Sequence, residues 1–207
     1  MNKLLLTLVS FLFVVSSYSQ SIDTIIKNDI LTSYFSYTYH NPLFVKYILY
    51  KGGGDCNRSQ FSFKSDKVKN SAKAKDYNFS GYDEGHLVSA EDFAYDCNKM
   101  GQTFKYYNCV PQTPKLNRGV WKTYESRIRT LSQTDSLLIW CGGVYLDRKL
   151  QSSNVYVPTY CWKIVKSLKT NKIIYVLLFN NEMETSYVKQ PTLKQLITKI
   201  GYDPTKY

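Results

Sequence analysis

The sequence predicts an α+β domain, and three observations predict it. Runs of aromatic and branched residues with strand character recur along the chain, two further stretches carry helical signals, and no internal repeat or low-complexity linker separates them. The simplest partition is a leader over residues 1–20 and a single domain over residues 21–207, long enough to bury a core without metal or disulfide staples.

In chain order, the leader places Lys3 ahead of an apolar run from Leu4 to Val15, with small and polar residues from Ser16 to Ser19. That is the layout of a cleaved secretory signal peptide, and the run is too short to span a bilayer comfortably, so the mature chain is expected to be secreted or periplasmic, with no membrane attachment. Residues 43–50, "LFVKYILY", read as a strand that ends at the turn "KGGGD". Residues 104–110 read as a second strand, stopped by Pro111. Residues 116–132 carry Leu116, Val120, Trp121, Tyr124, Ile128 and Leu131 at helical spacing. Three β-rich runs follow at 136–146, 159–168 and 172–180, and residues 192–200 form a short helix after Pro191.

The formal charge is +11, and it becomes +10 once Lys3 leaves with the leader (11 − 1 = 10). Such an excess favours an anionic partner, with nucleic acid ahead of anionic membranes or glycans. The basic residues are spread over 64–76, "KSDKVKNSAKAKD", and 118–129, "RGVWKTYESRIR", which assigns the charge to a folded surface rather than to a disordered arm. Five cysteines in an exported chain predict disulfides with at least one thiol left over, and Cys141 with Cys161 is the favoured pair. No CxxC occurs and only His40 and His86 could add nitrogen ligands, which excludes a zinc knuckle or a histidine-rich site. A catalytic metal must then be held mainly by oxygen, as Mg²⁺, Mn²⁺ or Ca²⁺.

His86 stands in "GYDEGHLVSAEDF" (81–93), ahead of a strand, a turn and the helix. That helix brings Asn117 and Glu125, linked by an i, i+4 step through Trp121, onto one stripe which His86 can face across a short hairpin. An imidazole with a pKa near neutrality can take a proton from water, and the amide carbonyl and carboxylate offer hard oxygens to Mg²⁺. Those are the parts needed to hydrolyse a phosphodiester. Each residue also has a plain structural reading: His86 as a turn hydrogen bond, Asn117 as a helix cap, Glu125 and Arg129 as an exposed ion pair, Trp121 and His40 as packing.

The ordered series Asp83, Gly85, His86, then Asn108, Pro111, Gln112, then Asn117, Gly119, Trp121, Glu125 resembles the DNA/RNA non-specific endonucleases, the ββα-metal or His-Me finger family. "IWCGGVYLD" and "VPTYCWKIV" are similar to two further strands of that family, so the resemblance covers about residues 42–180. It implies a mainly antiparallel sheet with flanking helices and a ββα-metal motif, and Mg²⁺-dependent cutting of DNA and RNA that leaves 5′-phosphate ends. It further implies His86 as general base, Asn117 as the direct ligand of one Mg²⁺ with Mn²⁺ an alternative, and Glu125 as a ligand through water. Asn108 would orient the site, and Arg129 and Arg58 would contact phosphate, although the spacing of Arg58 to Phe63 departs by one residue from the family pattern. Glu84 stands where the family carries arginine. Arg118, Lys115 or Arg127 are the candidates to restore that charge, and a catalytically weak nucleic-acid-binding or uptake protein on the same fold is the alternative function. A Cys/His hydrolase is poorer, because no nucleophile motif surrounds any cysteine.

Overall fold

Seven strands form one antiparallel sheet in the order β1-β2-β3-β6-β7-β8-β9, in a computed structural model that describes residues 20–207. The strands β1 (Thr24–Lys27), β2 (Leu31–Ser36) and β3 (Asn41–Leu49) make a meander, which β6 (Leu137–Lys149), β7 (Tyr156–Ser167), β8 (Ile173–Asn180) and β9 (Val188–Lys189) continue. Between β3 and β6 the chain leaves the sheet and builds a two-stranded ribbon, β4 (Asp83–His86) with β5 (Cys109–Gln112), together with helices α1 (Ala74–Tyr77), α2 (Cys97–Thr103) and α3 (Lys122–Leu131). Helix α4 (Leu193–Ile200) follows the sheet, started by a Thr192 and Gln195 capping box and ended by Gly201 at φ +82°. The class is the α+β architecture the sequence predicts. The expected leader lies, apart from Gln20, outside the described residues, and among those described no helix is long and apolar enough to cross a membrane.

The sheet is covered on both faces, which is why Cys161, Trp162, Lys163, Ile164 and Val165 are all buried in succession. Strand alternation divides them between two layers. Trp162 turns toward Phe44, which stacks on Tyr202 beyond α4, while Lys163 lies 4.0 Å over the Trp121 ring on the ribbon side. Gly142 permits the tight approach of β3, since a Cβ there would lie 2.1 Å from the Leu43 carbonyl oxygen.

Two expectations change. The strand expected over 104–110 is a 3-10 turn, Tyr106–Asn108, and the strand itself runs from Cys109 through Pro111. A proline is tolerated because the ribbon has only two strands and one side of each is free of ladder bonds. The helix expected over 116–132 opens with a π-helical stretch, Leu116–Trp121, in which Gly119 is non-helical (φ −104°, ψ −114°), and only then becomes α3. His86 does stand ahead of a strand, β5, and of the helix, as expected, and is itself the last residue of β4.

The cysteine pairing is also different. Cys56 bonds Cys97 across a Cα separation of 5.5 Å, tying the loop after β3 to the first residue of α2. Cys141 and Cys161 lie on adjacent strands, as expected, but Cys141 faces Lys163 and Cys161 faces Gly143, so the thiols are two residues out of register and remain free and buried with Cys109. Burial pushes both thiols up to about 12. Peptide mapping of oxidised protein is expected to show the Cys56–Cys97 bridge alone, with three thiols alkylated only after denaturation. Closing a loop of 41 residues stabilises by about 4 kcal/mol in the chain-entropy limit, so Cys97→Ser should lower the free energy of unfolding in urea by up to that amount. A Cys141–Cys161 bridge in the map would contradict the assignment.

Candidate active site

The ribbon is fastened to the sheet by main-chain groups that flank His86. The Leu87 carbonyl accepts from the Lys163 ammonium at 3.1 Å and from the Cys141 thiol at 3.1 Å. Asn108 closes a ring around Val88, accepting its N–H at 2.9 Å and donating to its carbonyl at 3.0 Å, while its amide also donates to the Thr103 carbonyl at 2.9 Å. Asn181 donates to the carbonyls of Pro111 and Pro158 and accepts from the Thr113 N–H, which locks the far end of β5 to β7. Gly85 is required where it stands, because a Cβ would lie 2.4 Å from the buried Gln112 side chain.

This framework places His86 against a cleft of about 320 Å³ lined by His86, Glu84, Arg58, Asn117, Glu125 and Arg129, together with Arg118, Lys122, Ser89 and neighbouring residues. The imidazole is 8% exposed, packed at 4.5 Å against Phe63 and edge-on at 4.7 Å against Phe104. Burial first, and the Arg58 guanidinium second, push its pKa down to about 3, so it is neutral at physiological pH. Its Nε2 is buried with no hydrogen-bond partner among the described residues. The pKa is thus well below the near-neutral value expected from the sequence, and the ring presents an uncharged nitrogen that can accept a hydrogen bond or a proton.

Glu125 moves the other way. Burial raises its carboxyl to about 7, with Asp92 adding to the rise and Lys163 and Arg129 opposing it. Asn117 donates its amide N–H to Asp83 at 2.9 Å, which turns that end of the side chain to the protein and leaves the carbonyl oxygen uncommitted. Asp83 is further held by Arg118 through two bonds of 2.8 and 2.6 Å. Among the described residues no three of His, Cys, Asp or Glu converge as a metal cage. The donor set fits an oxygen-bound cation taking the amide oxygen directly, with water in the remaining positions and the carboxylate holding some of that water, the manner in which Mg²⁺ is commonly held.

The π-helical opening of α3 decides which residues share this wall. The stripe does not pass through Trp121, which is fully buried against Phe179 and beneath Lys163. Asn117, Lys122, Glu125, Ser126 and Arg129 line the cleft instead. Arg129 pairs with the buried Asp92 at 3.0 Å and reaches Ser89 at 3.3 Å, so its partner is not Glu125. Arg58 is exposed at the cleft edge, 6.0 Å over the Phe104 ring. Asn108 lies outside the lining and acts through the main chain of Val88.

Of the three cations considered as replacements for the missing arginine, Arg118 lines the cleft but is committed to Asp83, Lys115 bonds the Glu184 carbonyl, and Arg127 stacks 5.0 Å over Tyr124. Lys122, which sequence reasoning passed over, lines the cleft without an ion pair among the described residues; its signal was its place one turn after Arg118 and three residues before Glu125. Lys163 and Asn181 were also missed, and nothing local to either distinguishes it from a strand or turn residue. Glu84 accepts a 2.5 Å hydrogen bond from the Tyr106 hydroxyl, so the departing position is built into the wall rather than left loose.

Residues 12–203 match the family described as DNA/RNA non-specific endonuclease. Similar curated proteins include the mitochondrial endonuclease G of Bos taurus, 30% identical over 128 residues that make up 54% of this chain and 43% of that one. Nuclease 1, mitochondrial, of Schizosaccharomyces pombe is 34% identical over 116 residues, 49% of this chain and 36% of its own. A nuclease of Nostoc sp. is 38% identical over 90 residues, 43% and 33% of the two chains. The matches thus span less than half the length of each of these relatives. The solved complex of EndoG with EndoGI contains a chain that superposes with a TM-score of 0.75 at 21% identity, covering 87% of this chain and 85% of that one. The fold is therefore that of the ββα-metal nucleases.

Removing the Asn108 ring leaves the buried Val88 N–H and carbonyl without partners, at about 1–3 kcal/mol each, while the Thr103 carbonyl keeps the Lys105 N–H. Asn108→Ala should therefore lose at least about 2 kcal/mol in urea denaturation, while Arg127→Ala, which gives up only its stacking on Tyr124 at an exposed helix face, should change stability by less than about 1 kcal/mol. Equal denaturation midpoints for the two variants would contradict the clamp.

Proposed function

Because the chain belongs to the DNA/RNA non-specific endonuclease family, we propose that it is a metal-dependent endonuclease that hydrolyses phosphodiester bonds of DNA and RNA, with His86 as the base that activates water. The observation that carries the reading is the neutral, buried His86 with an unpartnered Nε2 in one cleft with Asn117, Glu125, Arg58 and Arg129. Mg²⁺, with Mn²⁺ as the alternative, would be held directly by the Asn117 carbonyl and through water by Glu125. Such an ion supplies neutralisation of the charge that builds on the phosphoryl oxygens and on the leaving 3′ oxygen.

The residues of the chain do the rest. His86 Nε2 takes the proton of the attacking water; burial holds it neutral in the free protein, and the negative charge of a phosphate seated in the cleft would raise its proton affinity for that step. Arg129, fixed by Asp92 and Ser89, presents a preorganised guanidinium to the phosphate, and Arg58 adds a second from the cleft edge. Phe63 and Phe104 keep bulk water from the imidazole. Contacts of this kind fall on phosphate and carry no base information, which accounts for cutting without sequence preference. Export fits the Cys56–Cys97 disulfide, which forms in an oxidising compartment, and the leader at residues 1–20. A thiol hydrolase is not favoured, since none of the three free cysteines lines the cleft. A binding or uptake protein is the second reading, and Glu84 is the observation that favours it.

Plasmid degradation by the mature chain, with and without EDTA, separates these readings. Cutting abolished by chelator is expected, and His86→Ala should lose about 10²- to 10⁴-fold in turnover while still binding DNA. Binding with no cutting under any divalent ion would establish the second reading.

Glu84→Arg tests what the departure costs. It removes a carboxylate from a cleft that receives phosphate, and kcat/KM is expected to rise about 10-fold at low salt with the gain shrinking as salt is added. Glu84→Gln keeps an acceptor for Tyr106 while removing the charge, and should fall between. Equal kcat/KM for all three across a salt series would show that Lys122 and Arg118 already supply the charge.

A further inference from the structure

The basic stretch at residues 64–76 is not used by the catalytic cleft, and it forms one wall of a second cleft of about 920 Å³. His40 and the turn at residues 152–154, between β6 and β7, close the other side. Lys67, Lys73 and Lys75 line this space, and none of them is in an ion pair with a described residue. Of the two acids of the stretch, one is neutralised by an ion pair and the other leaves a single carboxylate among these three lysines. Asp66 pairs with Lys105 at 2.6 Å, and Asp76, which also lines the cleft, accepts from the Lys73 backbone N–H at 2.8 Å and from the Ser153 hydroxyl at 3.1 Å.

One further group points to a ligand. Ser71 is 6% exposed, lines the same cleft, and its buried Oγ has no hydrogen-bond partner among the described residues. Buried hydroxyls are ordinarily satisfied, and leaving one bare costs free energy. Three unpaired ammonium groups and an unsatisfied hydroxyl around one cavity suit an anion that presents several acceptor oxygens. An apolar ligand would leave every one of them desolvated.

The position of the cleft says which anion. The stretch is anchored at both ends in the catalytic motif: the Phe63 ring packs 4.5 Å from His86, and Tyr77 stacks at 5.9 Å on Tyr106, whose hydroxyl bonds Glu84. Ser65, at the edge of the second cleft, is two residues from Phe63, about 7 Å of extended chain. A nucleic-acid strand seated at His86 therefore reaches this edge within a few nucleotides at about 3.4 Å of rise each. We propose that the cleft lined by Lys67, Ser71, Lys73 and Lys75 is a second phosphate-binding site, which grips the backbone of the substrate strand away from the bond being cut. This rests on the nuclease reading of the first cleft. It also gives part of the basic excess a defined use: with Glu84 repelling phosphate at the catalytic cleft, strand affinity is supplied from a neighbouring one.

The test uses the mature chain and its Lys67→Gln/Lys73→Gln/Lys75→Gln variant, with thermal melting to verify that both are folded. Binding of a 30-bp duplex is measured in EDTA from 50 to 300 mM salt, binding of inorganic phosphate by calorimetry, and hydrolysis in Mg²⁺ on the duplex and on bis(p-nitrophenyl) phosphate, a diester too small to span both clefts. The variant is expected to bind the duplex at least about 10-fold more weakly at low salt. Its slope of log K against log salt should be shallower by about 0.9 for each phosphate that the lysines no longer neutralise, with hydrolysis of the small diester unchanged. An unchanged slope and affinity would overturn the proposal. So would loss of inorganic-phosphate binding with duplex binding intact, which would make this a site for free phosphate, and so would a parallel loss of small-diester hydrolysis, which would place the effect in the catalytic cleft. If the wild type cuts neither substrate while the variant still shows the shallower slope, the second site stands and the nuclease reading falls.

Discussion

The whole cleft around His86 depends on how the β4–β5 ribbon is held down on the sheet. A two-stranded ribbon has little stability of its own. Here its main chain is gripped by buried side chains from outside it: Lys163 and Cys141 on the Leu87 carbonyl, Asn108 around Val88, Asn181 on Pro111. Each is charged or polar in the interior and would be costly if left alone, and each is satisfied only when the ribbon sits in this register. The register in turn fixes His86 opposite Cys109 and Glu84 opposite Pro111. A one-residue slip would turn the imidazole to the other face.

That placement produces the electrostatics. One environment, low in water and bounded by aromatic rings, pushes an imidazole down to about 3 and a carboxyl up to about 7, because burial penalises the charged form of each. His86 is thereby a free base. Glu125 becomes a carboxyl whose ionisation a nearby positive charge would favour. Asp92 is buried too and burial raises its carboxyl as well, but Arg129, Lys163 and the Tyr47 hydroxyl oppose that rise, and it works as a tether for the Arg129 guanidinium.

Much of this was legible in the sequence, for identifiable reasons. The main strands have long aromatic and branched runs, and α4 has a cap and an apolar face, so these elements follow from local pattern. His86, Asn117, Glu125, Arg129 and Arg58 were all singled out, and the fold brings them to one cleft. What the sequence hid is what depends on register or on distant partners. The π-helical opening at Asn117 is invisible in a periodicity that Leu116, Trp121 and Tyr124 satisfy as an α-helix. Cys141 and Cys161 lie on paired strands, yet a two-residue offset separates their thiols. Lys163 reads as an ordinary polar residue in a strand until both faces of the sheet are known to be covered.

Burial and the main-chain clamp keep His86 neutral and its Nε2 uncommitted. Only two histidines occur in the chain, so their imidazole resonances can be assigned by one His40→Gln variant and followed by NMR from pH 8 to the acid limit of folding. The account predicts that the His86 resonance does not titrate above about pH 4 and reports a ring with one unprotonated nitrogen throughout. A titration midpoint near the ordinary value of about 6.5 would contradict it.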